Sequence, residues 1–224
     1  MKQPPFLRHL FRSGQAGGFT QEQYRTVLFR GEPGKPFAIV CPGGGFSYVG
    51  AIHEGFPLAI ALSEMGYNAF SIQYRTGGAQ VACEDLAQAI DFIMRNAEEL
   101  QVSTEDYSLW GGSAGARMAA YLGSYSTQGF INATHDRSAA VIMGYTGHSE
   151  YTQNDPPTYV IIGEDDAIAS CDYAPTGGES SGVGNRCRIS FASRFAPRLR
   201  IGNRNDRRRL GKGCRQVLGE IHFP

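Results

Sequence analysis

Apolar and polar residues fall into strand-like and helix-like blocks between residues 25 and 170. Phe37-Ala38-Ile39-Val40-Cys41 is a continuous apolar run, the pattern of a strand covered on both faces. Thr26 to Phe29 predicts an edge strand before it, with a turn at Gly31-Glu32-Pro33-Gly34 between the two. Gly55 to Met65 predicts a helix with Leu58, Ala61, Leu62 and Met65 on one side, and Tyr67 to Tyr74 the next strand. Glu84 to Leu100 is the most regular helix. Leu86, Ile90, Ile93, Met94, Ala97 and Leu100 recur at steps of three and four, and Glu84 and Asp85 suit its first turn. Asp106 to Trp110, Ser138 to Tyr145 and Pro157 to Ile162 predict further strands, and Ala116 to Leu122 a helix. Strands alternating with helices at this spacing predict an α/β fold, a mostly parallel central sheet with helices on both faces. Residues 1–24 read as a polar, irregular segment, residues 25–170 as the α/β domain, and residues 171–224 as a tail in which neither period persists.

The chain has 224 residues, of which 42% are hydrophobic, enough for one domain with a sizeable core. No apolar run approaches the ~20 residues of a membrane span, so no membrane partner is expected. The first residues carry charge without an apolar h-region, and the five cysteines include no C-x-x-C pair. A cytoplasmic setting is therefore expected, with Cys41 a buried core thiol and neither a disulfide framework nor a zinc site. The formal net charge of +0 hides an asymmetry. Residues 1–170 hold ten lysines and arginines against seventeen acids, and residues 171–224 hold eleven against four, ten of the eleven being arginine. Clustered arginine suits phosphate binding, but no recognised nucleic-acid motif accompanies it, so no nucleic-acid partner is expected.

Gly111-Gly112-Ser113-Ala114-Gly115 fits the G-x-S-x-G nucleophile elbow, and the predicted strand before it and helix after it are the context that motif needs. A serine on so tight a turn projects its Oγ outward, and small neighbours are required because the backbone is crowded there. Cys41-Pro42-Gly43-Gly44-Gly45-Phe46 follows the first buried strand. Glycines let main-chain amides approach a developing oxyanion, which makes Gly44, Gly45 and Ala114 the candidate oxyanion-hole donors. A phosphate loop is excluded, since no Lys-Ser/Thr follows and the G-x-G-x-x-G spacing is not met. Gly163-Glu164-Asp165-Asp166-Ala167-Ile168 follows the last clear strand, where a triad acid belongs. Asp166 is the preferred acid, and Asp165 a turn residue. The chain order Ser, Asp, His demands a histidine after Asp166, yet His9, His53, His135 and His148 all precede it. His222 follows but lies almost at the last residue with no strand leading to it, so the catalytic histidine is unassigned. His135 reads as part of a solvated loop and His148 as a polar loop residue. His53-Glu54 does not extend to H-E-x-x-H, and no metal site is expected.

Together these stretches resemble the α/β-hydrolase superfamily, in particular bacterial carboxylesterases related to acetylxylan esterases and feruloyl-esterase-like hydrolases. The resemblance rests on Cys41 to Phe46, Gly66 to Phe70 with Tyr74-Arg75, Trp110 to Ala116, and Pro156 to Ile168, and covers about residues 25–170. Pro42 stands where the commoner form of the loop has histidine. The resemblance implies a Ser/Asp/His triad, an acyl-enzyme, no cofactor, and a small-molecule or carbohydrate ester as substrate. A non-catalytic scaffold and a peptidase of the same fold are the alternatives. Departure from the family begins near Cys171, where members continue with a helix, an edge strand, a loop carrying His-Gly-Phe and a closing helix. That last strand and helix are expected to be missing. Codon degeneracy offers an explanation: moved one base on, Pro197-Arg198-Leu199-Arg200 permits CAC-GGC-TTC, which is His-Gly-Phe. The tail thus reads as out-of-frame translation of a hydrolase C-terminus, leaving a chain with impaired activity.

Overall fold

The computed structural model describes residues 10–12, 25–148, 150, 152–163 and 187–192. Among the described residues eight strands form one sheet: β1 (Leu10–Arg12), β2 (Arg25–Phe29), β3 (Pro36–Cys41), β4 (Asn68–Gln73), β5 (Ser103–Gly112), β6 (Ala140–Gly144), β7 (Thr158–Gly163) and β8 (Cys187–Ala192). Their order across the sheet is β1-β2-β4-β3-β5-β6-β7-β8. Only β2 pairs antiparallel, with β1 on one side and β4 on the other, and every later pairing is parallel. The α-helices among the described residues that connect the strands are α1 (Phe56–Glu64), α2 (Ala79–Arg95) and α3 (Ala114–Tyr125).

The alternation of β3 explains the layers. Phe37, Ile39 and Cys41 face a core shared with Phe70, Ile72, Leu86, Ile90 and Met118, under α2 and α3. Ala38 and Val40 face the opposite core, with Ala59, Leu62, Ala69 and Trp110, under α1. Side chains alternate across a strand, so a strand apolar at every position is one covered on both sides. The connection β3–α1–β4 runs toward one edge of the sheet, and β4–α2–β5 returns across β3 to begin growth toward the other. The strand order therefore reverses between β3 and β5. In open α/β sheets the crevice at such a reversal, outside the carboxyl ends of the strands, is the place where ligands bind.

Several expectations change. The segment read as irregular contains β1, which pairs Leu10 with Val27 and Arg12 with Arg25, so β2 is not the edge strand expected from Thr26 to Phe29. The regular helix begins at Ala79, directly after Gly77-Gly78, rather than at Glu84, and ends at Arg95. The edge strand expected to be missing is present as β8, parallel to β7 from Thr158–Cys187 to Gly163–Ala192. Cys187, Ile189 and Phe191 alternate with Arg188, Ser190 and Ala192. That short period-2 stretch meets the open edge of β7, and an unpaired edge is a template for another strand. The other tail residues, including the proposed shifted His-Gly-Phe, lie outside the described residues.

Candidate active site

β5 ends at Gly112 and α3 begins at Ala114, which leaves one residue, Ser113, to make the turn between them. Its backbone is at φ 50° and ψ −115°, a region that side chains rarely occupy. The turn is held at both ends: Ser113 N–H donates to Gly144 O at 3.0 Å, and Arg117 N–H to Ser113 O at 3.3 Å. The glycines around it are required by contact. A Cβ on Gly111 would collide with the Gly115 backbone, and one on Gly112 would stand 2.5 Å from Tyr145 Oη. Ser113 is half-buried, and among the described residues its hydroxyl has no hydrogen-bond partner.

The glycine loop lies directly against this turn. A Cβ built on Gly43 would stand 3.1 Å from Ser113 Cβ and 3.0 Å from Glu54 Oε2. Gly44 and Gly45 have φ of 140° and 61°, conformations that glycine adopts without steric cost. The loop is tied down by its carbonyls. Pro42 O accepts from Tyr74 Oη at 2.9 Å. Gly43 O accepts from Gly50 N–H, Gly44 O from Ser47 and Tyr48 N–H, and Phe46 O from Gly77 N–H. Its amides are different. Gly43 N–H donates to Glu54 Oε2 at 2.7 Å. Those of Gly44 and Gly45 have no acceptor among the described residues, nor has that of Ala114 at the start of α3. The structure thus brings Ser113, Gly44, Gly45 and Ala114 to the ends of β3 and β5, the reversal point of the sheet.

Asp166 and Asp165, and also His9 and His222, lie outside the described residues. The three described histidines have separate surroundings. His53 is exposed beside Glu54. His135 is not the solvated loop residue expected: its Nε2 lies 2.7 Å from Asp91 Oδ1, which also accepts from Arg95 Nε at 2.9 Å. His148 is buried edge-on against the Tyr121 ring, 5.0 Å between centroids, and burial pushes its pKa below the ordinary value. Cys41 is a fully buried thiol, as expected. Burial pushes its pKa up and that of Cys83 up to about 12, which leaves both in the inert thiol form. Among the described residues no cluster of histidine, cysteine and acid could hold a metal ion, and no helix is long and apolar enough to cross a membrane.

Two side chains at the site carry no motif of their own. Glu54 holds the Gly43 amide, and Tyr145 covers Gly112 with φ 37° of its own. The conspicuous feature of Glu54 in sequence is its place after a glycine-rich loop, which by itself names no partner.

A parallel sheet reversing at β3, with a serine turn after β5 facing a glycine loop after β3, defines an α/β-hydrolase fold. The chain belongs to the BD-FAE family, whose model matches residues 30–150. An acetylxylan esterase of Xylanibacter ruminicola is 28% identical over 105 residues, 46% of this chain and 22% of that protein. The matched stretch thus spans little more than a fifth of that relative. Among solved structures, an α/β hydrolase enzyme from a Medee basin deep-sea metagenome library superposes with a TM-score of 0.70 at 19% identity, covering 94% of this chain and 98% of that one. Thermogutta terrifontis esterase 2 gives 0.66 at 17% identity, over 85% and 84%. The acetyl ester-xyloside bifunctional hydrolase of Caldicellulosiruptor lactoaceticus gives 0.62 at 17%, over 77% and 78%. At these identities the likeness is one of fold.

Proposed function

We propose that the chain is a serine hydrolase of carboxylic esters, acting on acyl esters of small molecules or carbohydrates. One observation carries the reading: the strained Ser113 turn stands against a glycine loop whose Gly44 and Gly45 amides are unclaimed among the described residues. Ser113 Oγ adds to the acyl carbon as its proton passes to a general base, and the carbonyl oxygen becomes an oxyanion. The amides of Gly44, Gly45 and Ala114 hold that charge, and each such donor is worth about 10²–10³ in rate. The α3 N-terminus behind Ser113 favours the same charge. Collapse breaks the ester C–O bond, releases the alcohol and leaves an acyl-enzyme. Water then attacks and frees the carboxylic acid. Asp166 is the proposed acid that orients the base. The kinship with an acetylxylan esterase supports an acetylated carbohydrate as one substrate class.

The base is the weak member. No histidine follows Asp166 until His222, so we propose that turnover by this chain is impaired. A site lacking a triad member keeps only about 10³–10⁴-fold over water, from its oxyanion donors and binding. The test is a fluorophosphonate probe on the chain and its Ser113→Ala variant, beside hydrolysis of p-nitrophenyl acetate. Labelling abolished by Ser113→Ala, with slow turnover, is expected. Labelling indifferent to Ser113→Ala sinks the nucleophile assignment, and ligand binding without labelling identifies a non-catalytic scaffold. Turnover equal to that of ordinary esterases overturns the impairment.

A further inference from the structure

We infer that Glu54 is a positioning residue for the oxyanion loop: by taking the Gly43 amide it sets which main-chain N–H groups face the acyl oxygen. The inference rests on the serine-hydrolase reading and deepens it.

The loop has three successive glycines, so sequence alone does not say which amides point at Ser113. The contacts do. Glu54 Oε2 accepts from Gly43 N–H at 2.7 Å, which removes that donor and leaves those of Gly44 and Gly45. The carboxylate is delivered by a wide five-residue turn, Ala51–Gly55, placed between the loop and α1. Gly55, which follows Glu54 in that turn, closes it by donating to Gly50 O at 3.3 Å, while Gly50 N–H donates to Gly43 O at 2.9 Å. Gly43 is therefore gripped at both its amide and its carbonyl by one turn. Wide turns of this kind recur at functional sites. Ser113 Cβ and Glu54 Oε2 crowd the same face of Gly43, so a side chain at that position would meet both.

A carboxylate next to an oxyanion site is electrostatically adverse, because like charges repel more strongly where water is partly excluded. What offsets it is geometry. The hydrogen bond fixes the loop, and a misplacement of about 1 Å in a catalytic group costs about 10²-fold. Acceptance of the amide, rather than the charge, is thus the useful property, and this separates the two roles experimentally.

The full chain and its Glu54→Ala and Glu54→Gln variants are compared by the second-order rate of fluorophosphonate labelling, with Ser113→Ala as the blank and urea midpoints recorded for each. Glutamine keeps an acceptor oxygen and loses the charge. Labelling slowed about tenfold or more in Glu54→Ala and restored to the unsubstituted rate or above in Glu54→Gln is the expected result. The rate ratio between the two variants is expected to exceed anything their urea midpoints account for. Glu54→Ala labelling as fast as the unsubstituted chain overturns the positioning role while leaving Ser113 as the nucleophile. Glu54→Gln as slow as Glu54→Ala overturns it in favour of a charge effect. If the unsubstituted chain labels no faster than Ser113→Ala, the serine-hydrolase reading itself fails and this inference falls with it.

Discussion

Gly115 and the carbonyl group of Cys41 are in backbone contact where the first turn of α3 crosses the end of β3. A Cβ on Gly115 would run into the Cys41 oxygen and stand 2.7 Å from the Pro42 oxygen. Both neighbours are main chain, so no rotamer change relieves the clash. The crossing also sets the separation between Ser113, two residues earlier, and the loop that begins at Pro42. Gly115→Ala is expected to destabilise the protein by about 3 kcal/mol, the upper end for overpacking, because strand and helix must move apart. The urea midpoint reads the loss, and Ser113 labelling is expected to fall more steeply than stability as the donors recede.

The Ser113 backbone gives a second, opposite prediction. Its φ of 50° and ψ of −115° carry a strain of about 1–3 kcal/mol for any residue with a Cβ. Glycine escapes that strain but gives the unfolded chain more freedom, a loss of about 0.5–1 kcal/mol. Ser113→Gly is therefore expected to raise stability by about 1 kcal/mol while abolishing labelling. Ser113→Ala abolishes labelling without the gain, because it keeps the Cβ. Equal urea midpoints for the two variants would contradict a strained turn.

Why some of this is legible in the sequence and some is not follows from the range of each interaction. The run Phe37 to Cys41 has apolar residues on both faces, so its burial between two layers is set locally. The serine turn and the glycine loop are likewise local, since each needs small residues within a few positions. Asp85 escapes a sequence reading because two adjacent acids look like the first turn of a helix, whereas its partner lies ten residues upstream and meets it only in three dimensions. His135 escapes it for the same reason, its partner Asp91 being 44 residues away. β8 is hidden because six alternating residues sit among arginines that carry no period. Glu54 gives no signal because its meaning depends on the Ala51–Gly55 turn folding back over the glycine loop.

Asp85 is 1% exposed in the middle of α2, and its carboxylate is fully engaged with Arg75. Oδ2 accepts the Arg75 backbone amide at 2.7 Å, and Oδ1 accepts Nε at 2.9 Å and lies 2.7 Å from Nη2. The hydrogen bond from Arg75 to Asp85 holds the guanidinium more firmly protonated than usual. Arg75 lies in the loop after β4 whose Gly77 amide donates to Phe46 O, so the pair anchors a segment that is hydrogen-bonded to the glycine loop. Removing one partner of a buried pair typically costs about 3–5 kcal/mol, and the partial exposure of Arg75 lowers the cost below that range. Asp85→Ala is expected to lose about 2–3 kcal/mol. Asp85→Asn is expected to lose less, because its side-chain oxygen can still accept the backbone amide. Urea unfolding of both variants measures the difference.

The buried His148 makes stability depend on pH in a defined direction. Burial is the main cause of its lowered pKa, with Arg117 acting the same way, while Glu150, through charge and a backbone hydrogen bond, and Asp155 oppose it. The unfolded chain therefore takes up this proton at a higher pH than the folded one, and the linkage slope is positive. The contribution is fully present above the unfolded value of about 6.5 and is lost as pH falls through it toward the folded value. His148→Gln removes the titration, so its urea midpoint is expected to fall less between about pH 7.5 and pH 5.5 than that of the unsubstituted protein. Every other titratable group is common to the two proteins, so the difference between the two curves reports His148 together with its coupling to Glu150 and Asp155. A parallel pair of curves would mean that His148 is protonated as readily in the folded chain as in the unfolded one, and that its place against Tyr121 imposes no desolvation.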